Sequence, residues 1–335
     1  MRQLVFLTLF FFSIPAWAME WEEQQLFRGT KGTDNIRVIS STDTAVFSPL
    51  IEQFLSQNPD INIEYFVASS GDLFKEVLES PDEYDVVISS AMDLQLKLVN
   101  DGFARQVSDV SYPDWAHWRK SLFGFTLEPA SIVINKAAFS DLMVPETRQA
   151  LLELLRSHPE RFLGQIGTYD IRDSGLGYLF ATQDARGSET YWRLTEIMGG
   201  LKTRLYCCSN GMIEDLANNQ LAIAYNVLGS YAETRSDLTD KLSIIHPDDF
   251  PNIMMRTVLI TSNTKQIRAT EAFLRYLISA QWASTSDYRV TLSPIPLNDE
   301  TLQRSVIPLE PGLMIFLDTQ KRRQFIKDWE NAIIQ

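Results

Sequence analysis

The chain has 335 residues, 45% of them hydrophobic and 11% aromatic, which is enough for two packed cores and too apolar for a disordered protein. Its formal net charge of −13 offers no electrostatic footprint for nucleic acid or for an anionic membrane surface. A small anion held inside a cleft is still compatible with that charge, because backbone dipoles and one or two arginines outweigh the net field locally.

At the N-terminus Arg2 precedes an apolar run from Leu4 to Ile14, followed by Pro15-Ala16-Trp17-Ala18 with small residues flanking the cut. This pattern predicts a secretory signal peptide over 1–18, cleaved after Ala18, and a periplasmic mature protein; an uncleaved anchor is the alternative. The run is shorter than the roughly 20 residues of a membrane-spanning helix, and no later segment is apolar for as long. The two cysteines, Cys207 and Cys208, are adjacent. In an exported chain they form either a vicinal disulfide or two buried thiols, whereas redox and zinc motifs usually have two intervening residues.

A polar lead-in from Glu20 to Asp34 gives way to regular patterning. Ile36 to Ile39 reads as a strand, and Val46, Phe47, Leu50, Ile51, Phe54 and Leu55 fall at helical spacing. The same unit recurs as strand Ile61–Val67 with a helix carrying Leu73, Phe74, Val77 and Leu78, and as strand Val86–Ile88 with a helix carrying Leu94 and Leu98. Three successive strand–helix units imply a mainly parallel sheet covered by helices. The middle of the chain repeats this grammar with strands at Ile132–Ile134, Gln165–Tyr169 and Leu221–Tyr225, and with helical stretches at Ser188–Met198 and Met212–Asn218. Ile253–Ile260 reads as a strand returning to the first lobe, Ala269–Ala280 as a helix, and Thr319–Ile334 as an amphipathic helix against a lobe. With no Pro/Gly/Ser linker between the lobes, the connecting strands themselves are expected to act as hinges.

Ligands of open parallel sheets bind beyond the carboxyl ends of the strands. Those ends carry Ser40-Ser41-Thr42-Asp43, Ala68-Ser69-Ser70-Gly71-Asp72 and Ser89-Ser90-Ala91-Met92-Asp93. Each places small hydroxyls and free N–H groups at a helix start, which suits carboxylate or phosphate oxygens and equally suits simple helix capping. The second half adds Tyr169 to Gly175, with Ser174, and Tyr225-Asn226. Arg256, in an apolar strand, is either the counter-charge of an acidic ligand or one half of a structural ion pair, and Arg172 is a second candidate of the same kind. The expected ligand set is therefore Ser41, Thr42, Ser70, Gly71, Ser90, Ala91, Tyr169, Ser174, Asn226 and Arg256.

Several segments in fixed order resemble the type 2 periplasmic solute-binding proteins of ABC-type uptake systems, specifically the iron(III)-like branch that includes the phosphoglycerate transport regulatory proteins. They are Asp85–Asp93, Leu127-Glu128-Pro129, Arg204–Cys208, Leu221–Ala232, Met255–Ile260 and Leu313–Trp329. The resemblance implies an α/β fold of two lobes, each a mixed sheet flanked by helices, with the ligand cleft between them. Residues 35–127 plus 258–335 would form lobe one and 128–257 lobe two. It further implies hinge closure and a membrane partner, either the permease of an ABC transporter or the periplasmic domain of a sensor kinase.

The expected function is capture of a small carboxylate or phosphorylated solute by a monomer without cofactor, metal or catalytic residues. Ferric-ion binding is the alternative within the family; it ordinarily uses an adjacent Tyr-Tyr pair, which this chain lacks, and His117, His158 and His246 lie in unrelated segments. A secreted hydrolase would need a Gly-x-Ser-x-Gly elbow, and neither that, a P-loop, a dinucleotide fingerprint nor a His-Glu-x-x-His motif occurs.

Overall fold

The computed structural model describes residues 21–249, 251–284, 290–296 and 306–335; the expected signal peptide lies outside these residues. In the first lobe the strands run β1 (Glu23–Arg28), β2 (Asp34–Ser40), β3 (Ile61–Val67) and β4 (Val86–Ser89), interleaved with α1 (Thr44–Gln57), α2 (Ser70–Glu79) and α3 (Met92–Asn100). β2 pairs in parallel with both β3 and β4, the arrangement that helical crossovers demand. On α1 the residues at 46, 47, 50, 51, 54 and 55 are all buried, as their spacing requires. β1 pairs antiparallel with β3 at the sheet edge; it arises within the stretch read as a polar lead-in, because an exposed edge strand carries no apolar alternation.

After the short β5 (His117–Trp118), β6 (Leu122–Asn135) passes through both lobes. Its first half pairs with β11 (Ile253–Ile260) in the first sheet, while Ala130 to Asn135 pairs with β9 (Ile223–Leu228) and β10 (Leu242–Ile245) in the second. The second lobe also holds α4 (Arg148–Ser157), α5 (Pro159–Phe162), β7 (Ile166–Tyr169), α6 (Gly175–Gly187), α7 (Thr190–Gly200), β8 (Arg204–Tyr206), α8 (Ser209–Ala217) and α9 (Gly229–Glu233). The strand order β1-β3-β2-β4-β11-β6-β9-β7-β8 is continuous because β6 belongs to both sheets. The result is a two-lobed mixed α/β architecture.

Beyond β11 come α10 (Ile267–Ile278) and the C-terminal α11 (Thr319–Ile333). α10 packs on the first lobe. α11 does not: Phe325, Trp329 and Ile333 join the second lobe's apolar cluster beside Tyr191, Leu194 and Met198 of α7. The expected division had placed 258–335 with lobe one; the apolar face of α11 packs in the second cluster. Gly199 permits the approach, since a Cβ there would lie 2.2 Å from the carbonyl oxygen of Ala332. Among the described residues no helix is long and apolar enough to cross a membrane.

Candidate functional site

Five helices of nine or more residues start at the gap between the lobes. α1, α2 and α3 begin after Asp43, Ser69 and Ala91 in the first lobe; α6 and α8 begin after Ser174 and Cys208 in the second. Around their N-termini lies a small polar chamber. The first lobe lines it with Ser41, Asp43, Ser69, Ser70 and Ser90 together with Glu22, and the second with Tyr169, Ser174, Ser209, Tyr231 and the Cys207–Cys208 disulfide. Positive helix ends with hydroxyls at their tips favour oxygen atoms carrying negative charge.

Local hydrogen bonds hold this lining in place. Ser41 Oγ accepts from the backbone N–H of Ser90 at 3.1 Å and lies 3.3 Å from Ser90 Oγ. Ser174 Oγ caps α6 by accepting from Gly177 N at 3.1 Å, and the Tyr169 and Ser209 hydroxyls meet at 2.6 Å. Two contacts cross between the lobes: Leu176 N donates to Ser70 Oγ at 3.0 Å, and Tyr231 OH donates to Asp43 Oδ1 at 3.1 Å. Gly71 makes this closeness possible, because a Cβ there would come within 2.5 Å of the Asp173 carbonyl oxygen.

Among the described residues no arginine or lysine lines the chamber. Arg256 is fully buried behind it, with Nε and Nη2 each donating to Glu128 at 2.9 Å and Nη1 donating to Thr42 Oγ1. Burial opposes its charge, and the Glu128 carboxylate together with Tyr231 and Tyr65 more than offsets that, holding the pKa above its ordinary value. Ser230 Oγ also donates to Glu128, at 2.7 Å. Arg256 thus makes an ion pair between the two crossover strands, one of the two roles expected for it.

Among the described residues the chamber's charged groups are two carboxyls. Burial raises the pKa of Asp43, opposed by the Tyr231 hydrogen bond; burial and the neighbouring Asp43 raise that of Glu22. Neither residue stood out in the sequence, though Asp43 closes the first serine-rich loop.

Of the expected ligand set, Ser41, Ser70, Ser90, Tyr169 and Ser174 come together here. The other members lie elsewhere. Thr42 is buried against Arg256, and Ala91 is buried at the start of α3. Gly71 faces a second chamber. Asn226 has φ +60, a left-handed conformation Asn tolerates, and its amide donates to Asp184 at 2.7 Å. Asp184 also receives Tyr225 OH at 2.8 Å and Asn252 Nδ2 at 2.6 Å and pairs with Arg148, so Asn226 serves an internal polar network. Among the described residues no group of three or more His, Cys, Asp or Glu side chains is placed to hold a metal.

Two α/β lobes sharing crossover strands and enclosing a polar chamber at their strand ends define a two-lobed binding protein. The chain belongs to the bacterial extracellular solute-binding proteins, whose family pattern matches residues 36–285. No curated protein sequence matches it significantly. Its structure is similar to that of the substrate-binding protein of an ABC transporter from Agrobacterium tumefaciens, with 29% identity, a TM-score of 0.86, and coverage of 93% of this chain and 98% of the other. It is also similar to the periplasmic binding protein AfuA from Actinobacillus pleuropneumoniae, solved with fructose-6-phosphate, with 13% identity, TM-score 0.72 and coverage of 90% and 99%. Iron-bound HitA from Pseudomonas aeruginosa matches with 11% identity, TM-score 0.64 and coverage of 89% and 99%. The last two likenesses concern the fold alone.

Proposed function

We propose that this protein is a periplasmic, non-catalytic receptor that closes on a small oxyanionic solute, a carboxylic or phosphorylated acid. It then presents its closed surface to an ABC permease or to the periplasmic domain of a sensor kinase. The convergence of five helix N-termini from both lobes on one hydroxyl-lined chamber carries this reading. N–H and hydroxyl groups, not arginine, then hold the anion, and closure is driven by a solute that touches both lobes at once.

Asp43 and Glu22 give the reading a sign that can be checked. Both take up protons more readily than ordinary carboxyls, and a protonated carboxyl neither repels an anion nor lacks a proton to donate. Binding of an oxyanion should therefore tighten as pH falls and weaken as pH rises. The same two residues favour one competing reading, an ammonium-bearing solute, for which affinity would rise with pH.

A thermal-shift screen of the mature protein against carboxylic and phosphorylated acids, polyamines and ferric citrate, at mildly acidic and mildly alkaline pH, separates these cases. A ligand at a hundredfold excess over its Kd adds about 2.7 kcal/mol of stability. Stabilisation by an acid, larger at low pH, is the expected result. Stabilisation by polyamines alone, or by ferric ion alone, would overturn it.

A further inference from the structure

The gap between the lobes holds a second, roomier chamber, walled off from the first where Ser70 and Gly71 meet Leu176 and Asp173. Its chemistry is opposite in sign. Lys75 enters from lobe one, Arg172 from lobe two and Arg322 from α11, facing a single acid, Asp173. Phe74, Leu94, Tyr178 and Leu317 supply apolar walls.

The three cations are not equivalent. Lys75 Nζ donates to Asp72 at 2.9 Å. Arg172 donates to both oxygens of Asp170 and reaches Glu330 at 3.4 Å, so its charge is already compensated. Arg322 has no carboxylate within ion-pair distance among the described residues. Its guanidinium lies 4.6 Å from the centre of the Tyr178 ring, and its Nη2 makes one long contact of 3.4 Å to the Arg172 carbonyl. Its Nη1 is buried with no hydrogen-bond partner. A buried guanidinium N–H left unpaired is costly, and an anionic oxygen is the partner that best relieves it. Asp93, whose charge interacts with Arg322, is buried with its pKa pushed up to about 7, so it compensates Arg322 only in part at neutral pH.

Tyr178 is fixed by donation of its hydroxyl to the Phe316 carbonyl at 2.6 Å, which holds its ring rigid beneath the guanidinium. With Phe74 also in its lining and space for more than an inorganic ion, the chamber suits a flat or ring-shaped body attached to the anion.

We propose that this rear chamber is a second ligand site, taking an organic anion with a phosphate or carboxylate on an apolar ring, with Arg322 as its counter-charge. The site is formed by both lobes together with the C-terminal helix, so its occupant bridges them.

The test is calorimetric titration of the mature protein with phenyl phosphate, with inorganic phosphate as comparator. Arg322→Met should weaken phenyl phosphate roughly tenfold to hundredfold, the loss expected for a charge-assisted hydrogen bond. A front-chamber variant, Ser41→Ala with Ser90→Ala, should leave it within about twofold, since neither hydroxyl reaches the rear chamber. If Arg322→Met does not fold, Leu94→Glu places a carboxylate in the same chamber from lobe one and should abolish binding. Absence of binding at millimolar phenyl phosphate, insensitivity to both rear variants, or loss only in the front variant would overturn the proposal. Equal affinity for inorganic phosphate would overturn the ring-bearing class. These outcomes are independent of the front chamber's solute, so failure of one reading does not decide the other.

Discussion

The two interlobe chambers are separated by one layer of side chains, yet one is lined by hydroxyls and two carboxyls and the other by three cations and aromatic rings. The front chamber is built at strand ends, where short polar turns lead into helix N-termini, so its positive potential comes from backbone. The rear chamber is built on helix flanks and on a C-terminal segment that returns across the gap, so its potential comes from side chains. A net charge of −13 therefore says little about either site. What matters is which cations are already paired: Arg256 behind the front chamber is, and Arg322 in the rear is not.

Separating the paired arginine from its partner gives the largest expected effect. Glu128→Ala leaves Arg256 buried without its carboxylate, and should cost about 3 to 5 kcal/mol of stability in urea unfolding without ligand. Were Arg256 instead a ligand counter-charge, the variant would unfold normally and only solute affinity would change. Replacing both partners with apolar residues should recover most of the stability, which a ligand role would not predict.

Asp93 is next. Its folded pKa of about 7 lies above the ordinary carboxyl value, so the native state binds more protons than the unfolded state between about pH 4 and pH 7. Stability should fall with rising pH across that window, by up to about 1.4 kcal/mol per unit, and remain lower above it. Asp93→Asn should flatten the profile and stabilise the protein above neutral pH by about 2 to 4 kcal/mol. A pH profile unchanged by this substitution would show that Asp93 is ionised in the fold and compensates Arg322, which would weaken the contrast between the chambers.

The triple variant Ser41→Ala, Ser70→Ala, Ser90→Ala addresses the front chamber directly. It should weaken the front-chamber solute roughly tenfold to hundredfold, at about 1 kcal/mol or less per lost hydrogen bond, with the melting curve little changed. Unaltered affinity would remove these serines from the site.

Much of this arrangement was legible in the sequence for definite reasons. Strong 3.6-residue and strand periodicity located α1 to α3 and β2 to β4, and the expected mixed sheets in two lobes are present. β6 was seen only as Ile132–Ile134, because Pro129 and Glu128 break the apolar run where the strand passes between sheets. Amphipathicity revealed the buried face of α11 but not the lobe it covers, since a period carries no information about the partner. The Arg256 pairing needed register: Arg256 lies opposite Thr126 and Met254 opposite Glu128, which makes Arg256 and Glu128 diagonal neighbours on one face. Both residues belong to segments that carry the family resemblance, but their juxtaposition depends on two strands more than a hundred positions apart. Thr42 and Ala91 adjoin chamber residues and yet turn into the protein, an alternation at strand ends that composition cannot show.

The smallest expected effect on stability separates fold from site at Cys207–Cys208. A disulfide stabilises mainly by restricting the unfolded chain, and a bridge between neighbours closes almost no loop, so Cys207→Ser with Cys208→Ser should change stability by about 1 kcal/mol or less. Both cysteines nevertheless line the front chamber, and Cys208 precedes the first turn of α8 without a side-chain cap hydrogen bond. The double variant and the reduced wild type should therefore bind the front-chamber solute differently from the oxidised protein while melting at nearly the same temperature. They should also bind phenyl phosphate unchanged, because neither cysteine borders the rear chamber. A large stability loss with unaltered solute affinity would reverse the assignment, making the disulfide a device of the fold and leaving the hydroxyls alone to define the front site.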